Sequence, residues 1–259
     1  MTATRTLRVL HLYGSLLNLY GDRGNILALK YRCERRGIGF ELSEAGIGQS
    51  FDPTSCDLVF AGGGPDREQR RVADDLVSVK APALREAAAA GTVILAVCGS
   101  YQLLGHYYRD EAGGEIRGVG IFDLHTEHPG EGSQRLIGNA IVDWEGHEVV
   151  GFENHGGRTT LGPSATPLAR VVAGYGNNGS DGWEGARVGN VFGTYIHGSL
   201  LPKNPWLTDH LIGLALARRF GEGDLPPLDD SPEQRAHEVA AGIARAEAGR
   251  RKGTGGLRA

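Results

Sequence analysis

This sequence of 259 residues predicts an α/β protein with a mostly parallel central sheet and helices on both faces. Three observations predict it. Short, continuous apolar runs recur through the first hundred residues, segments of helical spacing separate them, and the runs end at glycines or turn residues. Continuous rather than alternating apolar runs are what strands buried on both faces require, and strand–helix alternation indicates parallel pairing.

Leu7–Tyr13 reads as the first strand. A helix is expected from about Arg23 to Arg36, with Ile26, Leu27, Leu29, Lys30 and Cys33 near helical spacing and Gly37 as its stop. Phe40–Glu44 is a short second strand, and Asp57–Ala61 a third that runs into Gly62-Gly63-Gly64. Residues 66 to 90 read as helix, interrupted at Pro82. Thr92–Val97 is the most apolar strand and ends at Cys98; a helix carrying Tyr101, Leu103 and Leu104 should follow at once. From Gly118 to Gly198 the chain turns rich in Gly, Val and turn signals such as Gly176-Asn177-Asn178-Gly179, which predicts antiparallel additions to the sheet. A helix from about Thr208 to Phe220 closes a main domain of residues 1–220. Residues 221–230, with Pro226-Pro227, form a linker. Ser231-Pro232-Glu233 starts a helix to about Arg250 that could dock on a partner or lie on the domain surface. Arg251–Ala259 is expected to be disordered.

The composition, 40% hydrophobic and 22% charged, is that of a soluble globular protein. A net charge of -4 argues against nucleic-acid binding. Met1 to Arg8 lacks the apolar core of a signal peptide, and no run reaches the roughly 20 apolar residues of a membrane span. Three widely spaced cysteines, Cys33, Cys56 and Cys98, suit a reducing cytosol and form no CxxC pair. His125-Thr126-Glu127-His128 is a weak zinc signal, and no metal is expected.

Cys98 sits where a strand turns sharply into a helix, a position that projects a side chain over the sheet. The helix start favours its thiolate, and amides beginning that helix, Gly99 first, can stabilise an oxyanion. Alone, Cys98 reads as a small buried hydrophobe before it reads as a nucleophile. His197 ends a second apolar strand, Val191 to Ile196, beside Gly198; alone it reads as a structural histidine. Together they suggest a thiol with its base, since ligands bind at the carboxyl ends of such strands. Gly63 and Gly64 can offer backbone N–H groups to an oxyanion, or form a tight turn with Asp66 capping the next helix. The chain carries neither a GxxxxGK[ST] loop nor a dinucleotide fingerprint, so nothing visible in it binds ATP.

The Cys98 segment, the His197 segment and the glycine loop, in this order, resemble a class I, triad-type glutamine amidotransferase domain of the cobyric-acid-synthase-like branch. Residues 19–25, Gly62 to Gln69, Gly151 to Thr159 and Gly193 to Gly198 resemble more narrowly the glutaminase subunits of lipid II isoglutaminyl synthase. The resemblance covers about residues 7 to 220. It implies a flavodoxin-like fold, Cys98 as nucleophile, His197 as base, and Arg135 on the glutamine α-carboxylate; Gln102 would line the pocket. A guanidinium suits a carboxylate, although Arg135 alone reads as a solvated loop charge. The resemblance also implies a heterodimer with MurT, a Mur-ligase-like subunit using ATP and Mg²⁺ to activate the D-glutamate α-carboxyl of lipid II. This chain would carry no cofactor and would work in the cytoplasm, near the inner membrane face where lipid II lies. One position departs from the pattern: Ser199 stands where class I domains commonly carry a Glu that orients the histidine, so either the site runs on a Cys98/His197 dyad or an acid comes from elsewhere, and the partner is expected to supply it. A stand-alone γ-glutamyl cysteine hydrolase, a cobyrinate-type amidotransferase subunit and a catalytically dead scaffold remain alternatives.

Overall fold

The computed structural model describes residues 5–255. In the first half, strands β1 (Thr6–Leu12), β2 (Gly39–Ala45), β3 (Leu58–Ala61) and β4 (Val93–Val97) alternate with helices α1 (Arg23–Glu34), α2 (Asp66–Asp75), α3 (Ala81–Ala89) and α4 (Gly99–Leu103). α2 and α3 are separated by one wide π-type turn, Leu76–Lys80, so the expected break falls before Pro82, which sits in the first turn of α3. The second half adds β5 (Tyr107–Arg109), β6 (Glu115–Arg117), β7 (Leu124–Glu127), β8 (Leu136–Trp144), β9 (His147–His155), β10 (Arg158–Leu161), β11 (Ala169–Ala173), β12 (Trp183–Glu184), β13 (Ala186–Val188) and β14 (Val191–Thr194). Helices α5 (Pro205–Phe220) and α6 (Ser231–Gly255) follow.

The central sheet has the order β13-β14-β4-β3-β1-β2. Its strands pair in parallel except β13, which is antiparallel to β14. Neighbouring side chains on a strand point to opposite faces, so the continuous apolar runs fill two cores. Leu7, Val9, Leu58, Phe60, Leu95 and Val97 pack toward α1 and α5; Leu10, Leu12, Val59, Ala61, Ile94 and Ala96 pack toward α2 and α3. The expectation for the second half needs correction in one respect. Only β13 is an antiparallel addition to the central sheet, and β14 joins it in parallel; β5 to β12 form two separate four-stranded sheets, β10-β7-β5-β6 and β12-β11-β8-β9. The long β8–β9 hairpin carries its own apolar face, which it buries away from the central sheet.

That face is covered by α6. Ala241 and Ala244 bury against Ile141, Val150 and Ala173, and Glu247 accepts bonds from the Asn139 N–H at 3.1 Å and its side-chain amide at 2.8 Å. Buried Arg32 pins the segment leading to α6, donating to Asp209 at 2.5 and 2.6 Å and to Asp230 at 2.6 Å. The helix continues to Gly255, past the expected end near Arg250; the last part of the expected tail, 256–259, lies outside the described residues.

Candidate active site

Parallel pairing aligns the carboxyl ends of three strands. Ala61 pairs with Ala96 and Thr194 with Val97, so the glycine loop after β3, Cys98 after β4 and His197 after β14 emerge at one end of the sheet. Cys98 has φ 53° and ψ -111°. A non-glycine residue in that conformation is strained, and the surrounding structure must hold it there. The Cys98 N–H donates to the Thr194 carbonyl at 2.7 Å, and Gly63 crowds its side chain, since a Cβ on Gly63 would stand 3.1 Å from Cys98 Cβ and 3.6 Å from Sγ.

Cys98 opens onto a cavity of about 360 Å³ that Gly64, Gln102 and Arg135 also line, joined by Asp66, Gln69, Tyr108, Asn154 and His155. Of the residues expected from sequence, His197, Gly63 and Gly99 do not line it. His197 is fully buried, held by paired backbone bonds with Phe152 at 2.9 and 3.1 Å. Arg135, at the mouth, donates to the Asn154 side-chain and backbone oxygens at 3.0 and 3.2 Å. Gln102 is buried and donates to the Tyr195 hydroxyl at 3.1 Å. The Ser199 hydroxyl donates to the Gly21 carbonyl at 2.7 Å.

The electrostatics correct one expectation. Burial pushes the Cys98 thiol up to about 12, with the nearby Asp22 charge adding to the effect and the Gly99 N–H and Arg135 opposing it. The shift from 9.0 amounts to about 4 kcal/mol, whereas a helix N-terminus contributes at most about 2 kcal/mol. α4 is a short helix as well. Cys98 therefore rests as a thiol. Burial, then the charge of Lys203, pushes the His197 imidazole down to about 4, leaving it neutral at pH 7 but a weaker base than a free imidazole.

The oxyanion expectation is corrected at Gly63. Its N–H donates to Asp22 Oδ2 at 2.6 Å and its carbonyl accepts from the Leu19 N–H at 3.1 Å, so this peptide is committed to the loop before α1. Gly64 lines the cavity, and the Gly99 N–H favours the Cys98 thiolate against burial. Sequence reasoning missed Asp22, Asp66, Gln69 and His155. Asp22 is fully buried, and burial raises its carboxyl to about 7. Asp66 is not the helix cap; the cap position is Pro65, and Asp66 Oδ2 accepts from Tyr108 at 3.1 Å. The i, i+3 spacing of Asp66 and Gln69 on a helix leaving a glycine loop was the available signal. His155 stacks on Tyr195 at 3.6 Å and bonds the Gly157 carbonyl at 2.9 Å, which places its proton on Nδ1. No group of three or more His, Cys, Asp or Glu among the described residues could hold a metal; Glu127 of the weak zinc signal pairs instead with Arg109.

A model of the CobB/CobQ-like glutamine amidotransferase domain matches residues 8–205. The chain belongs to this family. Within it, the chain is similar to subunit GatD of the glutamine-hydrolysing lipid II isoglutaminyl synthase of Streptococcus pneumoniae, 39% identical over 90% of this chain and 89% of that protein. The Staphylococcus aureus subunit of the same name is also 39% identical, over 90% of this chain and 94% of its own length. A probable cobyric acid synthase of Methanothermobacter thermautotrophicus is 42% identical, but over only 40% of this chain and 23% of that protein. A crystal structure of a glutamine amidotransferase shares the fold with TM-score 0.52 at 17% identity, covering 80% of this chain and 98% of that one. The strained Cys98 and the polar cavity it opens onto lie within the residues that match this glutamine amidotransferase family.

Proposed function

We propose that the chain is the glutamine-hydrolysing subunit of a lipid II isoglutaminyl synthase. It releases ammonia to a Mur-ligase-like partner, MurT, in a cytoplasmic heterodimer. The observation that carries the hydrolytic half is Cys98, held at φ 53° over a cavity that also presents Arg135 and Asp66. The likeness to the two GatD subunits across 90% of the chain supports lipid II as the acceptor's source. ATP and Mg²⁺ belong to the partner's half-reaction.

Free glutamine is a zwitterion. Arg135 suits its α-carboxylate and Asp66 its α-ammonium, which directs the carboxamide toward Cys98. His197 takes the thiol proton as Sγ bonds to the amide carbon, and the carbonyl π electrons move to oxygen. The Gly99 and Gly64 N–H groups stabilise that oxyanion. Its collapse breaks the C–N bond; His197 returns the proton to nitrogen, and ammonia leaves a γ-glutamyl thioester. Water, deprotonated by His197, attacks the thioester and releases glutamate, and the thiol recovers its proton. Ser199 supplies no carboxylate; an acid contributed by the partner on assembly would couple hydrolysis to complex formation.

A diazo-ketone glutamine analogue is expected to label Cys98 stoichiometrically in the complex, read by intact-protein mass, and to leave a Cys98→Ala variant unlabelled. Labelling elsewhere, or hydrolysis of glutamine as fast without partner as with it, would overturn the mechanism or the coupling respectively. Asp66→Asn is expected to raise KM for glutamine roughly 10-fold or more, the loss of one charge-assisted bond, with a smaller change in kcat.

A further inference from the structure

Gln69 is a buried amide with half its bonding capacity unused. It lies one turn into α2, is 2% exposed, and lines the same cavity as Cys98. Its Nε2 donates to the Gly64 carbonyl at 3.1 Å. A carbonyl can only accept, so this bond fixes which end of the side-chain amide is nitrogen and which is oxygen. Oε1 is thereby an acceptor, and it has no hydrogen-bond partner among the described residues. Buried acceptors in native proteins are paired in the great majority of cases, so one left open in a cavity calls for a donor from outside the chain.

Its placement says which donor. A Cβ on Gly99 would stand 2.8 Å from Gln69 Nε2, 2.9 Å from its Cδ and 3.0 Å from the Gly64 carbonyl. Gly99 is the residue directly after the nucleophile, at the first position of α4. The Gln69 amide is therefore packed against the reacting end of the site, and it is uncharged. Glutamine and its hydrolysis product differ there by one group: the carboxamide carries N–H donors, the carboxylate only oxygens.

We infer that Gln69 is the specificity-determining residue that reads the carboxamide, its Oε1 accepting an N–H of the bound glutamine. This deepens the glutaminase reading and rests on it. A lone pair at that point holds the amide nitrogen in place for departure and repels glutamate oxygens, so the same contact selects substrate and helps expel product. A site built to bond a substrate N–H discriminates strongly against analogues without it, because the buried protein group is then left unpaired. Gly99 and Gly64 follow from this placement: side chains there would displace the amide from the nucleophile.

The test compares two substrates with the complete chain assayed together with its co-purified partner. L-Glutamine has the N–H donors; L-glutamate γ-methyl ester has the same carbonyl and α-carbon charges and none. In Gln69→Met, which keeps length and volume, kcat/KM for glutamine is expected to fall about 10- to 100-fold relative to kcat/KM for the ester, the cost of one buried unpaired bond. Equal falls for both substrates would mean that Gln69 only braces the Gly64 loop, and would overturn the inference. If the Met variant turns over neither substrate, equilibrium binding on a Cys98→Ser background decides. The preference for glutamine over glutamate must shrink when Gln69→Met is added, and an unchanged preference overturns the inference. Failure of the glutaminase reading itself looks different, because the wild-type complex would then hydrolyse neither compound.

Discussion

His197→Ala is expected to lower kcat for glutamine hydrolysis by roughly 10³- to 10⁴-fold, while KM changes little and the complex stays assembled. The size follows from the state of the nucleophile. With the thiol pushed up to about 12 by burial, almost no Cys98 is ionised at pH 7, so the reaction depends on a base to take the proton as the bond to carbon forms. A residue with its own thiolate would lose far less. Burial keeps the imidazole neutral and so able to accept a proton, while weakening it as a base. Its pKa lies near 4, so protonation silences it only in strong acid, and the acidic limb of kcat/KM is expected near pH 4 instead of near 6.5. Lys203 sharpens the measurement. Its ammonium donates to the Gly198 carbonyl at 2.8 Å and is the second cause of the His197 shift. Lys203→Met removes that charge and should move the acidic limb to higher pH. A limb that stays at 6.5 in both proteins would show that another group acts as base.

The same residues show why some of this site was legible in the sequence and some was not. Cys98 and His197 each follow a short apolar run directly, and parallel strands buried on both faces have to be such runs. Reading the strands therefore located both side chains at one end of the sheet, and family motifs added Arg135 and Gln102, which do line the cavity or its wall. Asp22 could not be read that way. It meets Gly63 across 41 residues of sequence, and only the folded loop before α1 brings the carboxyl to that N–H. The thiolate expectation failed on magnitude: the helix effect is real but smaller than the desolvation of a buried sulfur. Asp66 was misassigned because an acid after a glycine loop suits a cap. Pro65 holds that position, and Tyr108, from a different sheet, turns the carboxylate to the cavity. The two smaller sheets were hidden for a related reason, since turn signals give strand ends but not which edge each strand joins.

Asp75→Ala is expected to be the most destabilising substitution outside the active site, at about 3–5 kcal/mol, or a fall in Tm of roughly 10 °C for a chain of this size. Lys80 is fully buried, and its ammonium donates to Asp75 Oδ2 at 2.5 Å and to the Gly46 carbonyl at 2.9 Å. The same carboxylate accepts from Tyr13 at 2.7 Å and from the Gly48 N–H at 2.6 Å. It thus ties β1, the loop after β2 and the wide turn between α2 and α3 to one point. Burial alone would raise the Asp75 carboxyl; the bonds from Lys80, Tyr13 and Gly48 outweigh it and hold the group below the usual carboxylate range. A carboxyl depressed in the folded state contributes stability at neutral pH that is lost as acid protonates it, so this part of the fold should weaken as pH falls below about 4. Alanine leaves the ammonium buried without its counter-charge, and that is where the cost arises. Replacing both charges, Asp75→Leu with Lys80→Met, removes the stranded ammonium and should recover part of the loss. Tyr13 and Gly48 would still have lost their acceptor, so recovery stays incomplete. Thermal melts of the single and double variants separate the cases. A single variant that melts within about 3 °C of wild type, near 1 kcal/mol, would show that the pair does not anchor the turn.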